Sequence, residues 1–168
     1  MGRGKYIAVI ITVDVKHHKL LMVDAHMEGE GTSEPDIGIE HGKKLIGKGF
    51  EIEKANGDGR YDTDKTFDFW DKNGAKTAIP PRRNAKIRGS KSKRRKREIR
   101  EYKKLGLKRW YHKKHYGERL AVEGENSAVK RKYGENLVGK TEDSMCAEAI
   151  QKFVFYDFLK DYGAERAR

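Results

Sequence analysis

Cysteine is nearly absent: Cys146 stands alone, so no internal disulfide can form, which fits a reducing, cytosolic setting. Long apolar runs are absent as well. The longest, residues 6–13 (YIAVIITV), has the length and β-branched content of a buried strand. It falls well short of the ~20 residues a membrane helix needs. The amino terminus shows no signal-peptide pattern, and membrane function is not expected. Apolar residues make up only 36% of the 168 and charged residues 38%, and the length leads to one domain with a true core.

The charge is unevenly placed. Residues 82–115 hold 17 Lys/Arg and two Asp/Glu, a net of +15, which leaves the rest of the chain at −3 within an overall +12. A near-neutral domain with one strongly basic segment points to a polyanionic partner, most often nucleic acid. The bland alternative is a solvated charge run.

Periodicity gives a coarse order of elements. Residues 5–15 read as a strand, KHHK as a turn and residues 20–27 as a second strand, forming a hairpin. After the loop GEGTSEPD, a helix through DIGIEHGKKLI is capped by Thr32 or Ser33 and closed by Gly47 and Gly49. Residues 50–56 alternate as a strand, followed by a Gly/Asp turn. TDKTFDFWDKNG reads as a short helix capped at Thr63 or Asp64 and ended by Gly74. AKTAIPPR reads as a strand stopped by Pro80 and Pro81. The end of the basic segment is expected to be partly helical, with two further helices after it. The order ββαβαβ followed by helices is an α/β fold, a sheet with helices packed on it.

Two carboxylates stand out. Asp58 sits between two glycines in ANGDGRYDTD, just after a predicted strand. There it reads either as an ordinary turn aspartate or as a ligand for a metal or a phosphate-bearing group. An EF-hand loop is a poor alternative, because, counting from Asn56, Arg60 and Tyr61 occupy positions that need Asp/Asn and Gly. Glu123 lies in YGERLAVEGENSAVKRKYGENL. On one continuous helix Tyr116, Arg119, Glu123 and Lys130 fall within about a sixth of the circumference. Val122, Asn126, Val129 and Tyr133 form an apolar stripe beside them, and Glu118, Ala121, Glu125 and Lys132 face away. Lys130 lies seven positions after Glu123, too far for a direct i,i+4 ion pair, which favours function over a simple salt-bridge ladder.

Tyr116, Arg119, Glu123 and Lys130 match at every spacing the Tyr-2-Arg-3-Glu-6-Lys signature of DDE transposases of bacterial and archaeal insertion sequences. GDGRYDT resembles the loop of that family's second catalytic aspartate. IPPRRNA resembles the segment after it, and ITVDVKHHKLLMVDA the hairpin before it. The resemblance covers residues 5–156. It implies a ribonuclease-H-like mixed sheet with flanking helices, DNA strand cleavage and strand transfer, and a two-metal Mg²⁺ site, with Mn²⁺ as a substitute. Asp58 and Glu123 would be catalytic metal ligands lying within roughly 10 Å of each other. Tyr116, Arg119 and Lys130 would contact DNA phosphates, as would Arg82, Arg83, Lys93, Arg94 and Arg95 of the basic segment. The implied partners are transposon-end and target DNA, with a homodimer in the transposition complex and a nucleoid-associated location in the cytoplasm.

The family's first aspartate lies on a strand upstream of residues 5–15, so the chain resembles the carboxy-terminal portion of such a catalytic domain without its first strand. Asp14 and Asp24 are the remaining candidates for a third ligand. The alternative function is a basic nucleic-acid-binding protein without catalysis. A standalone metal nuclease lacks a third carboxylate. His112 and His115 read as phosphate-facing or exposed, His17 and His18 as turn residues, Cys146 as packing and Trp70 as a core anchor. Trp110 reads as a core anchor or as a base-stacking residue.

Overall fold

The computed structural model describes residues 6–29 and 31–166. Lys5 of the first expected strand and Glu30 of the loop after the hairpin lie outside the described residues. The order is β1 (Ile7–Asp14), β2 (Lys19–Met27), α1 (Glu34–Gly47), β3 (Lys54–Asn56), a 3-10 turn (Gly59–Tyr61), α2 (Asp64–Lys72), β4 (Lys76–Ala78), α3 (Lys93–Lys113), a second 3-10 turn (Tyr116–Arg119), α4 (Leu120–Tyr133) and α5 (Glu142–Arg166). The protein is mixed α/β, with five helices and small sheets among the described residues. Where one sheet was expected, the strands form two pairs, antiparallel β1–β2 and parallel β3–β4.

The chain divides into two compact units. The first joins residues 1–32 to 120–168. Its hairpin pairs Ile7 with Met27 through to Asp14 with Lys19, with a register shift between Thr12 and Val13. The Asp14 carboxylate closes the turn by accepting from the Lys16 N–H at 2.9 Å and the His17 ring at 2.6 Å. These bonds, chiefly the one to His17, hold the Asp14 carboxyl below its ordinary range. Helix α5 packs on the hairpin. Its Asp157 accepts from the Leu20 N–H at 3.1 Å, and Lys160 donates to the His18 carbonyl at 2.5 Å. Ile10, Met27, Val129, Ala149 and Phe153 are its buried apolar residues.

The second unit is the continuous stretch 33–119. Ser33 caps α1 by accepting from the Asp36 N–H, and Thr63 caps α2 by accepting from the Thr66 N–H. Gly49 and Gly74, at φ 88° and 73°, turn the chain out of the two helices in the left-handed region that suits glycine. Strand β3 spans three residues where seven were expected. Its partner β4 ends at Ala78, two residues before Pro80 and Pro81, so there is little ladder to extend it. Leu45, Phe67, Ile79, Ile99 and Trp110 form the core.

Helix α3 is two helices. At Gly106 the backbone takes φ 71° and ψ 165°, a region almost confined to glycine, and the chain folds back. Tyr102 then meets Trp110 edge-on at 5.5 Å, Lys113 reaches Glu101 at 2.6 Å, and Lys114 reaches Glu98 at 2.8 Å. The result is a helical hairpin with the turn at its tip.

Candidate functional site

The loop after β3 is fixed at several points. The Gly57 N–H donates to the Ala78 carbonyl at 3.2 Å, and a Cβ at Gly57 would lie 3.2 Å from the Tyr61 ring. Asp58 follows in an extended conformation and caps the 3-10 turn, its Oδ1 accepting from the Arg60 N–H at 2.8 Å. Its Oδ2 accepts no hydrogen bond among the described residues. Arg82 clamps the loop by donating from Nε to the Gly59 carbonyl at 2.9 Å and from Nη2 to the Arg60 carbonyl at 2.8 Å. The Arg60 guanidinium pairs with Glu34. Burial, with Glu34 and Asp58 nearby, pushes the Tyr61 phenol up to about 12.

Behind the loop lies a buried ionic cluster. The Asp62 carboxylate accepts from Arg95 Nε at 2.6 Å and Nη2 at 3.0 Å, and from the Arg82 N–H at 2.8 Å. Asp64 accepts from the Ser90 hydroxyl at 2.5 Å, the Lys91 N–H at 2.7 Å and Arg95 Nη1 at 3.3 Å. Burial works against the Asp64 carboxylate, but these donors outweigh it and hold its carboxyl below the ordinary range. So an aspartate at the carboxy-terminal end of a parallel strand is presented by a loop that two arginines immobilise.

This use of arginine divides the basic segment. Arg82 and Arg95 serve the loop, and Arg94 Nη2 reaches the buried Glu98 at 3.3 Å. Arg83 and Lys93 are exposed, as are His112 and His115. Trp110 is fully buried against Tyr102 and Tyr116, so the base-stacking role is overturned and the core reading holds. Trp70 is half-buried, edge-on to Phe69.

The single helix expected to carry Tyr116, Arg119, Glu123 and Lys130 is also corrected. His115, at φ 49°, turns the chain, Tyr116–Arg119 form a 3-10 turn, and α4 begins at Leu120. Tyr116 packs on Trp110 and Tyr111, both at 5.4 Å, with the Arg119 guanidinium 5.9 Å from its ring centre. Glu123 and Lys130 remain on one face of α4, and both are exposed. Lys130 pairs with Glu135 at 2.9 Å. Glu125, expected to face away, is buried and pairs with Lys160 of α5 at 3.2 Å.

Sequence reasoning gave Glu118 no role beyond facing away. Its carboxylate pairs with Lys54 at 2.6 Å and accepts from Asn56 Nδ2 at 3.3 Å, beside the end of β3. Lys54 holds it below the ordinary carboxylate range. Asp58 belongs to the second unit and Glu123 to the first. Among the described residues no three His, Cys, Asp or Glu gather as a metal-holding group. Asp14 is committed to its turn, and Asp24 stands opposite Ile10 in the hairpin. The Cys146 thiol is pushed up by burial and by Asp143 and Glu142.

Comparison with known proteins finds no matching family model, no matching curated protein and no matching solved structure. Among the described residues no helix is long and apolar enough to cross a membrane.

Proposed function

We propose that this chain carries part of a DDE transposase catalytic domain of ribonuclease-H-like fold, acting on the DNA of an insertion sequence by metal-dependent strand cleavage and transfer. The observation that carries the reading is Asp58, seated at the carboxy-terminal end of parallel strand β3 in a loop clamped by Arg82. Support comes also from the element order.

The donors suit Mg²⁺, which takes carboxylate oxygens. Asp58 offers Oδ2, and Glu123 is an exposed carboxylate. Two bound Mg²⁺ ions would activate the attacking hydroxyl and stabilise the leaving oxygen. The chain's own part is to hold Asp58 rigid and to supply Arg119 and Lys130 for phosphate contact.

The test is Mg²⁺-dependent cleavage of element-end DNA by this chain and by a form extended upstream with a strand that carries an aspartate. The expected result is cleavage by the extended form, lost by 100-fold or more with Asp58→Ala or Glu123→Ala, and little by the chain alone. No cleavage by either form, with DNA binding intact, favours the second reading, a basic nucleic-acid-binding protein without catalysis. That reading is supported by the outward cations of residues 82–115, which bind DNA without help from Asp58 or Glu123.

A further inference from the structure

The tip of the α3 hairpin is unlike its stem. In the stem several cations are neutralised within the fold, with Arg94 and Lys114 on Glu98, and Lys113 and Lys114 on Glu101. At the tip Lys103, Lys104, Lys108 and Arg109 are exposed, and none forms an ion pair among the described residues. All four lie within three residues of Gly106, so chain length alone keeps their Cα atoms within ~11 Å of the turn. Nothing lies within 4 Å of where a Gly106 Cβ would be, so the turn faces open space. Between the two pairs of cations sits Leu107, 61% exposed.

An apolar side chain ringed by unneutralised cations is poorly placed for a protein partner's apolar surface, since the charges would be desolvated with it. A bilayer is a poor match too, because interfacial anchoring grows with apolar area and one leucine contributes only ~2 kcal/mol. Duplex DNA answers both halves of the tip. Phosphates take the cations, and a stacked base step takes a single apolar wedge, opening a kink.

We propose that the tip of the α3 hairpin is a DNA-bending wedge, in which Leu107 enters a base step while Lys103, Lys104, Lys108 and Arg109 hold the flanking phosphates. This rests on the DNA-binding part of the proposed function and names the element that deforms the DNA.

The experiment uses the full chain and a ~25-base-pair duplex labelled at both ends, reading affinity against salt and end-to-end distance by energy transfer. The wild type should bind and shorten the end-to-end distance. Leu107→Ala should bind within about threefold of wild type with most of the bend lost. The fourfold alanine variant at Lys103, Lys104, Lys108 and Arg109 should lower the salt slope by about 3 to 4, at ~0.9 per phosphate contact. Circular dichroism equal to wild type shows that each variant is folded. Bending by Leu107→Ala equal to wild type overturns the wedge. So does an unchanged salt slope in the fourfold variant, which leaves DNA binding by other parts of the chain standing. Preferential binding to anionic phosphatidylglycerol vesicles or to duplex RNA also overturns it. No DNA binding by the wild type removes both this inference and the reading beneath it.

Discussion

Arg95 shows why a charge pattern and a charge's role differ. In sequence it is one of five consecutive cations and looks like a DNA contact. In the fold it makes a two-pronged ion pair with the fully enclosed Asp62 carboxylate and a further bond to Asp64. Removing one partner of a buried pair strands the other charge. Asp62→Ala is therefore expected to cost about 3 kcal/mol in urea unfolding, and the double variant with Arg95→Met less than the sum of the singles. Acid should act on the same region. Asp64 and Glu118 both have carboxyls held below their ordinary range. The unfolded chain thus binds protons first, and the stability these groups supply is complete only above their unfolded values, from about pH 5 upward, and lost as pH falls through their lower folded values. Unfolding followed from pH 7 to pH 2 should show stability dropping below about pH 5; a flat profile would contradict this. The turn at Asp58 was legible because glycines on both sides advertise it. Asp62 was not, since its partner lies 33 residues away and no local spacing encodes that.

At the scale of elements, what was local was legible. Ser33, Thr63, Gly49 and Gly74 announce the ends of α1 and α2 through cap chemistry that acts within a few residues. What depended on pairing was not, as the shortened β3 and the two small sheets show. The helical phase expected to align Tyr116 and Arg119 with Glu123 is broken at His115, where one left-handed residue turns the chain. Close approach of α1 and α2 is likewise invisible in sequence but clear in the fold. A Cβ on Gly42 would stand 2.7 Å from both the Phe69 and Trp70 rings. Gly42→Ala is accordingly expected to destabilise by ~1 to 3 kcal/mol through overpacking, measured by thermal melting, despite alanine's better helix propensity. A gain in melting temperature would show that the rings move aside freely.

At the scale of the whole molecule, the proposed catalytic pair is divided between the two units, Asp58 in residues 33–119 and Glu123 beyond them. The proposed function expects the two to come together in the active assembly. Spin labels on Asp58→Cys and Glu123→Cys, with Cys146→Ser in the same chain, should report a separation below ~20 Å including the label arms when DNA and the upstream strand are present. A broad distribution centred well beyond that would remove the shared metal site while leaving DNA binding untouched.

The same division sets an order of events during synthesis. The first unit begins with a hairpin and leaves off at Thr32, resuming only at Leu120, whereas the second is one unbroken run between those points. A ribosome therefore delivers everything the inner run needs before it delivers α4 or α5. The inner run can fold while the hairpin still waits with the surface meant for α5 uncovered. Closing so long an intervening stretch costs only logarithmically more than closing a short one, and costs less once that stretch is compact. The nascent chain is thus most exposed to hairpin-to-hairpin association during this interval, and slowing translation after residue 119 lengthens it.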